Sequence, residues 1–294
     1  MAYEVYLKFK DKEMSLEAFL ELFSKRNNCR VDGERVIYEN ADTGVGFYYD
    51  YMPEEDKDAS NVRSDGVYRV ALGIEYCQPA FFFVEALYEL YDLIENHGFV
   101  LYDPQIEKKL TKKTFNDDDL FEGWRECNQD AVREYMMSLG PEMDDVPVMP
   151  YDAIRMMWEW NYYISSLREM LDEKMQIPTI QAVVLEDEDL TAVVWKDGGP
   201  IAIPYVDIIV LATGKKGSEE YEFRAIDYED MKSLIEKHSE KIFANSFLLN
   251  YDSTPKEISD FIANVDASLD FTLMDMCDVL EYEVAETALF ANEV

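Results

Sequence analysis

Residues 74–105 read IEYCQPAFFFVEALYELYDLIENHGFVLYDPQ, and the parsing of this stretch decides the architecture around it. A strand-like run ends at Cys77. Pro79 suits a first helical turn, where its missing N–H costs nothing. Glu85, Glu89, Asp92 and Asn96 recur at spacings of four, three and four, a single narrow polar stripe on an otherwise apolar segment. A helix that apolar packs on more than one side. Gly98 supplies a C-cap, and residues 99–102 return as a strand. The expected unit is strand–helix–strand, with one helix over residues 79–97. Phe82, Ala86, Leu90 and Leu93 should face a sheet that includes Val70 and Leu72. Gln78 and Asp103-Pro104-Gln105 then mark the ends of elements.

Upstream, Tyr3, Val5, Leu7 and Phe9 alternate with Glu4, Tyr6 and Lys8, the pattern of a half-buried strand. Ser15 is placed to cap a helix opening at Leu16, but Ala18 stands where a capping box needs Glu or Gln. Residues 36–38 and 45–51 read as strands around a turn at 40–44. Residues 67–77 show two unlike faces, Tyr68, Val70, Leu72, Ile74 and Tyr76 against Arg69, Ala71, Gly73, Glu75 and Cys77. Such a strand belongs to a sheet covered well on one side only. The order strand, helix, strand, strand, strand, helix, strand predicts a small α+β layer of ferredoxin-like type.

Residues 106–175 read as helical. One helix begins at Asn116-Asp117-Asp118-Asp119 and runs to about residue 139, where Gly140-Pro141 breaks it. A second runs from Tyr151 to about Lys174, with Ala153, Met157, Trp160, Ile164, Leu167 and Leu171 as its core stripe. After Pro178 the pattern turns to β: residues 181–185, 191–196, 201–204 and 206–212 read as strands, with 221–225 as an edge. Asp197-Gly198-Gly199 is a strong hairpin turn and Glu186-Asp187-Glu188-Asp189 a weaker one. Helices are expected at 228–238, 255–264 and about 274–289. The expected class is therefore α+β: a ferredoxin-like layer (1–110), a helical segment (111–175), and an antiparallel β-rich half with C-terminal helices (176–294).

The charge has two readings, a surface kept soluble by its carboxylates or one that docks on something basic. Among 294 residues, 27 Lys and Arg face 62 Asp and Glu, a net charge of −35. That field repels nucleic acid and anionic membranes and attracts basic partners. With 48% hydrophobic residues the chain is no disordered acidic tail. Cys29, Cys77, Cys127 and Cys277 lie far apart without a CxxC pair, which fits reduced thiols in a cytoplasm better than disulfides or zinc. No run approaches a membrane span, and the alternating start is no signal peptide.

No catalytic constellation is legible. Glycine loops for phosphate, GxSxG and HExxH are missing from the sequence. The two histidines, His97 and His238, fall at helix ends, where a cation complements the dipole. Cys77, just before a helix, is the best-placed thiol for a nucleophile, yet it also continues a strand face. Asp117, Asp118 and Asp119 lack the spacing of a calcium loop. No metal site and no cofactor are expected. Candidate binding residues are the stripe Tyr151, Arg155, Trp158 and Tyr162, whose residue types dominate binding hot spots. The acidic groups Glu54 and Glu55, Asp117 to Asp119, and Glu186, Asp187, Glu188 and Asp189 join them.

Two stretches resemble an uncharacterised group of bacterial cytoplasmic proteins. The first carries Gln78-Pro79, Phe82, Glu85-Ala86 and Leu101-Tyr102-Asp103-Pro104-Gln105. The second carries Val194-Trp195-Lys196-Asp197-Gly198 and Ile203-Pro204-Tyr205-Val206-Asp207. Some members of that group look like immunity or antitoxin-type partners, and the resemblance implies no catalytic residues. The leading expectation is an acidic protein that neutralises a basic protein such as a toxin or nuclease. One rival is a DNA mimic that inhibits a nucleic-acid-binding protein. The other is an enzyme of unrecognised type, using carboxylates and tyrosines in an interdomain cleft.

Overall fold

The alternating N-terminal run forms β1 (Ala2–Phe9) and lies inside a sheet rather than at its edge. The structure is a computed structural model that describes residues 2–10, 13–52, 62–140, 146–185, 188–214, 220–242, 246–265, 271–274 and 276–285. The chain forms a mixed α+β protein of two compact units, Met1–Val146 with Glu283–Val294, and Pro147–Tyr282. Residues 111–175 are thus not a segment of their own: their first helix packs in one unit and their second belongs to the other.

In the first unit β1 is followed by α1 (Leu16–Phe23), β2 (Cys29–Asp32), β3 (Arg35–Glu39), β4 (Gly46–Tyr51), β5 (Val62–Arg63) and β6 (Gly66–Val67). Then come β7 (Val70–Glu75), α2 (Ala80–His97), β8 (Phe99–Asp103), β9 (Lys108–Leu110) and α3 (Asp117–Leu139). Seven strands make one sheet in the order β2-β3-β4-β7-β1-β8-β9, each pairing antiparallel. Strand β9 corrects the helical reading of the residues after 105; Lys108 and Lys109 pair with Asp103 and Tyr102 of β8 before α3 begins.

Directly opposite residues share a sheet face. Leu7 lies opposite Val70 and Leu101, and Leu72 lies opposite Val5 and Tyr49, so these side chains form one apolar face. Both early helices cover it. Ser15 Oγ accepts the Ala18 N–H at 3.2 Å to start α1, whose Phe19 and Phe23 rings meet Tyr51 and Tyr49 at 5.7 and 4.4 Å. Helix α2 sets Phe83 edge-on to Tyr3 at 5.6 Å and stacks the same ring on Trp124 of α3 at 5.3 Å. Sheet on one side and α3 on the other explain why α2 is apolar over most of its surface.

The polar stripe of α2 is largely an inward clamp. Glu85 is buried and accepts hydrogen bonds from Tyr38 Oη (2.9 Å) and Asn40 Nδ2 (3.1 Å). Arg26 bridges Glu89 (2.6 Å) and Asp92 (2.7 Å). Sequence periodicity marked these positions as polar without showing that their partners come from the turn after α1 and from the β3 region.

The opposite sheet face is covered in part. Tyr6, Tyr68 and Ala71 are buried there, with Met52 and Tyr102 packed against them. Tyr48 lies flat over Gly73, where a Cβ would come within 2.3 Å of the ring, so the glycine is required by a close approach. Asp65, between β5 and β6, pairs with Lys8 (3.1 Å) and with Lys109. Burial alone would raise the Asp65 carboxyl; the hydrogen bonds from Lys109 and Lys8 outweigh it and bring it down to about 2. A depressed carboxyl adds stability that is present above its unfolded value, about 3.9, and is lost as pH falls through 2. Asp65→Asn should therefore be less stable than the parent at pH 7, and the gap should close between about pH 4 and 2 in denaturant titrations. A gap that does not change with pH would count against the clasp.

The second unit runs β10 (Val148–Met149), α4 (Tyr151–Met170), β11 (Gln181–Leu185), β12 (Glu188–Lys196), β13 (Ile201–Ile203), β14 (Ile208–Gly214) and β15 (Tyr221–Asp227). It continues through α5 (Tyr228–His238), β16 (Glu240–Lys241), β17 (Phe247–Leu249), α6 (Lys256–Asn264), β18 (Phe271–Met274) and β19 (Leu280–Glu281). Its main sheet has the order β15-β14-β12-β11-β18.

Three expectations need correcting here. The half is not purely antiparallel, because β12 and β14 pair in parallel from Ala192 opposite Ile208 to Lys196 opposite Ala212. Nor does Asp197-Gly198-Gly199 close a hairpin. Asp197 and Gly198 both take positive φ, 52° and 60°, but the turn ejects the chain into a second sheet, β13-β17-β16. Tyr251 and Thr254 fasten the turn by donating to the Gly198 carbonyl at 2.6 and 3.0 Å. The weaker turn does close one: Leu185 of β11 lies opposite Glu188 of β12. Finally, the helix expected near 274–289 starts late: the end of β18, a 3-10 turn at Met276–Asp278 and β19 take up its first part, and the described helical residues are 282–285.

Candidate functional site

The polar punctuation of residues 74–105 resolves into two buried clamps. Asn128 of α3 accepts the Cys77 N–H (2.8 Å) and Gln78 N–H (3.3 Å) through Oδ1 and donates through Nδ2 to the Gln78 carbonyl (2.9 Å). Tyr3 donates to the buried Asp103 carboxylate, whose other oxygen accepts the Gln105 N–H at 2.9 Å. Burial raises the Asp103 carboxyl, while the bonds from Tyr3, Gln105 and Ile106 pull it down. Each group is consumed by the fold, so neither clamp offers a free acid or base.

None of the three described thiols, Cys29, Cys77 and Cys127, is activated. Burial pushes Cys29 up to about 12, and it also raises Cys77 and Cys127, the reverse of what a nucleophile needs. His97 sits 3.5 Å from Asp92, and His238 sits 2.9 Å from Glu257. Among the described residues no group of three or more His, Cys, Asp or Glu is placed to hold a metal ion, and no helix is long and apolar enough to cross a membrane.

The aromatic stripe of α4 is broken as a surface. Trp158 is only 7% exposed, because the buried arc of the helix takes in Ile154, Met157, Trp158, Trp160, Asn161, Ile164 and Leu167. That arc is wider than the single core row read from spacing, and Trp158 falls inside it. Tyr162 is half-buried with its ring 5.5 Å from Trp158, Arg155 pairs with Glu159 at 3.2 Å, and Tyr151 is exposed. Trp158 is thus a core residue, and the stripe is withdrawn as a contact surface.

The acidic groups separate. Glu54, Glu55, Glu186 and Asp187 lie outside the described residues. Asp189 accepts the Val148 N–H at 2.9 Å and so holds β10, while Glu188 is exposed in the pair with Leu185. Asp119 is bonded to Lys108 at 2.6 Å, which lowers its carboxyl. Asp117 and Asp118 are exposed at the start of α3, where carboxylates complement the helix dipole.

Asp118 opens a larger feature. Asp118, Glu122, Glu126, Asp130 and Glu134 recur at every fourth position of α3 and are all exposed. At a rise of about 1.5 Å per residue they stand roughly 6 Å apart along the axis, on a ridge that turns by about 40° at each step. Arg125 and Arg133 neutralise part of the row through Glu122 (2.6 Å) and Asp130 (2.8 Å). Tyr135 and Met137 are exposed at its C-terminal end, 43% and 53%. The other side of α3 buries Leu120, Gly123, Trp124, Asn128, Val132 and Met136. Gly123 permits that docking, because a Cβ there would meet Ile106 at 2.6 Å and the Tyr3 hydroxyl at 2.9 Å.

Like charges four apart destabilise a helix by about 0.2–0.5 kcal/mol per pair. Four successive acid pairs are therefore a burden that stability alone does not select. The i,i+4 spacing is legible in the sequence, but spacing alone does not say which face of the helix is exposed. Comparisons with protein-family models, curated proteins and solved structures find no match for this chain.

Proposed function

We propose that the chain is an acidic binding protein that neutralises a basic protein partner, in the manner of an immunity or antitoxin protein, with the outer face of α3 as its principal contact. The observation that carries this reading is the exposed carboxylate row from Asp118 to Glu134, ending at Tyr135 and Met137. Internal pairing supports it: Arg26, Arg35, Lys108 and Lys237 are matched to Asp92, Asp50, Asp119 and Glu257, which leaves the surplus of 35 negative charges to act outward. Charge of one sign steers a basic partner into encounter, and apolar side chains at the contact prolong the complex.

A protein partner is favoured over DNA mimicry by charge density. One row offers a carboxylate every roughly 6 Å, whereas a single DNA strand presents a phosphate about every 3.4 Å. The reading includes cytoplasmic residence, which the unpaired Cys29, Cys77 and Cys127 support. It also includes a ferredoxin-like layer, supported by the strand order β4-β7-β1-β8 with α1 and α2 as crossovers.

The test is a charge reversal with an internal control. A lysine-rich peptide serves as probe, and its association rate is measured across a salt series. Glu126→Lys with Glu134→Lys should slow association at low salt by about tenfold or more, and high salt should erase the difference. Glu169→Lys with Glu173→Lys, both exposed outside α3, should have little effect. Equal slowing by both pairs would mean a diffuse field with no special role for α3.

A further inference from the structure

The main sheet of the second unit ends in β15, and among the described residues no strand lies beyond it. Pairing with β14 is unbroken from Tyr221 opposite Gly214 to Asp227 opposite Ile208. Tyr228 N–H donates to the Asp207 carbonyl at 2.8 Å, one step beyond that last pair. Bonded pairs in an antiparallel ladder recur at every second residue. Ile226, Arg224 and Glu222 therefore bond to β14, and Tyr221, Phe223 and Ala225 turn their N–H and C=O groups outward. Among the described residues no strand pairs with that edge.

Exposed edges are normally blunted by lysine, proline or a bulge. The sequence YEFRAID of β15 has no lysine or proline, and its register shows no bulge. Tyr221 and Phe223 are instead 42% and 48% exposed on one face, with ring centroids 6.3 Å apart. Arg224 is turned away from the edge: it donates to the Ile262 carbonyl at 3.1 Å and pairs with Glu222 at 3.6 Å. Glu220 and Glu222 are exposed on either side of Tyr221.

We propose that β15 is a docking strand. It takes an extended segment of the basic partner as an added strand, with the outward backbone groups of Tyr221 and Phe223, the exposed part of the edge, forming the ladder. Cationic side chains of that segment meet Glu220 and Glu222, and apolar ones cover Tyr221 and Phe223. The proposal rests on the reading that the partner is basic. A second copy of this chain is the poorer occupant, because it brings another 35 negative charges.

A short peptide of alternating lysine and valine is the probe, and amide hydrogen exchange is the readout. Bound peptide should slow exchange at Tyr221 and Phe223 by about tenfold or more. Phe223→Pro should abolish the slowing and keep the fold, because the lost N–H points outward and proline is tolerated at edges; protection of Val210 and Leu211 checks the ladder. If that variant misfolds, Phe223→Lys should still prevent binding. Peptide that binds without slowing these amides, and is released by the α3 reversals alone, overturns the docking strand and leaves the proposed function standing. Failure of both this peptide and the lysine-rich probe to bind overturns both. A peptide-free dimer that protects the same amides and grows with salt overturns the choice of occupant.

Discussion

Trp124→Ala is expected to cost about 3–5 kcal/mol, the range for truncating a large aromatic in a core. Trp124 is 1% exposed, stacks on Phe83 at 5.3 Å and 13°, and lies 6.3 Å from Phe121. Its removal empties the seam between α2 and α3 and strips one side from the ring that also packs on Tyr3. The denaturant midpoint should fall with the slope unchanged. Trp124→Phe should be far milder, since the indole N–H has no hydrogen-bond partner among the described residues and phenylalanine removes that buried donor while keeping most of the contact. A loss below about 1 kcal/mol for the alanine variant would show that the seam collapses without penalty.

Asn128→Leu should cost about 2–5 kcal/mol, although leucine matches the asparagine in size. The change leaves the N–H groups of Cys77 and Gln78 and the carbonyl of Gln78 without their partner. Each buried unmatched group costs about 1–3 kcal/mol, reduced where the half-buried Cys77 admits water. The damage should be local at first: exchange at the amides of Phe81 to Phe83 should accelerate before that of β1. Uniform acceleration across the unit would mean that Asn128 contributes only to global packing.

Periodicity disclosed α2 and α4 within a few residues, and start and stop signals at Asn116–Asp119 and Gly140-Pro141 disclosed α3. Turn chemistry was less informative. Asp197 and Gly198 adopt the backbone that their residue types favour, but a turn specifies a local reversal and says nothing about which strand the chain meets next. Tyr251 and Thr254, more than fifty residues on, decide that. The parallel match of β12 with β14 is non-local in the same way. Trp158 was misjudged because two adjacent helix rows are indistinguishable by spacing when both are apolar. The carboxylate row was not read from the sequence: its spacing is plain there, and only the structure shows that all five side chains are exposed.

Asn128 has a counterpart in the second unit. Asn161 of α4 accepts the Ile180 N–H at 2.8 Å and donates to the Ile180 carbonyl at 2.9 Å. In both units a helix-borne amide imitates one rung of a neighbouring strand, and that imitation works at a single axial setting of the helix. Sliding α3 by a turn would break all of the Asn128 bonds together, so the amide acts as an index pin. The carboxylates from Asp118 to Glu134 are carried on a pinned helix, and a visitor meets a preorganised comb of charge. Little ordering remains to be done at the moment of encounter: the helix bears that cost when the chain folds.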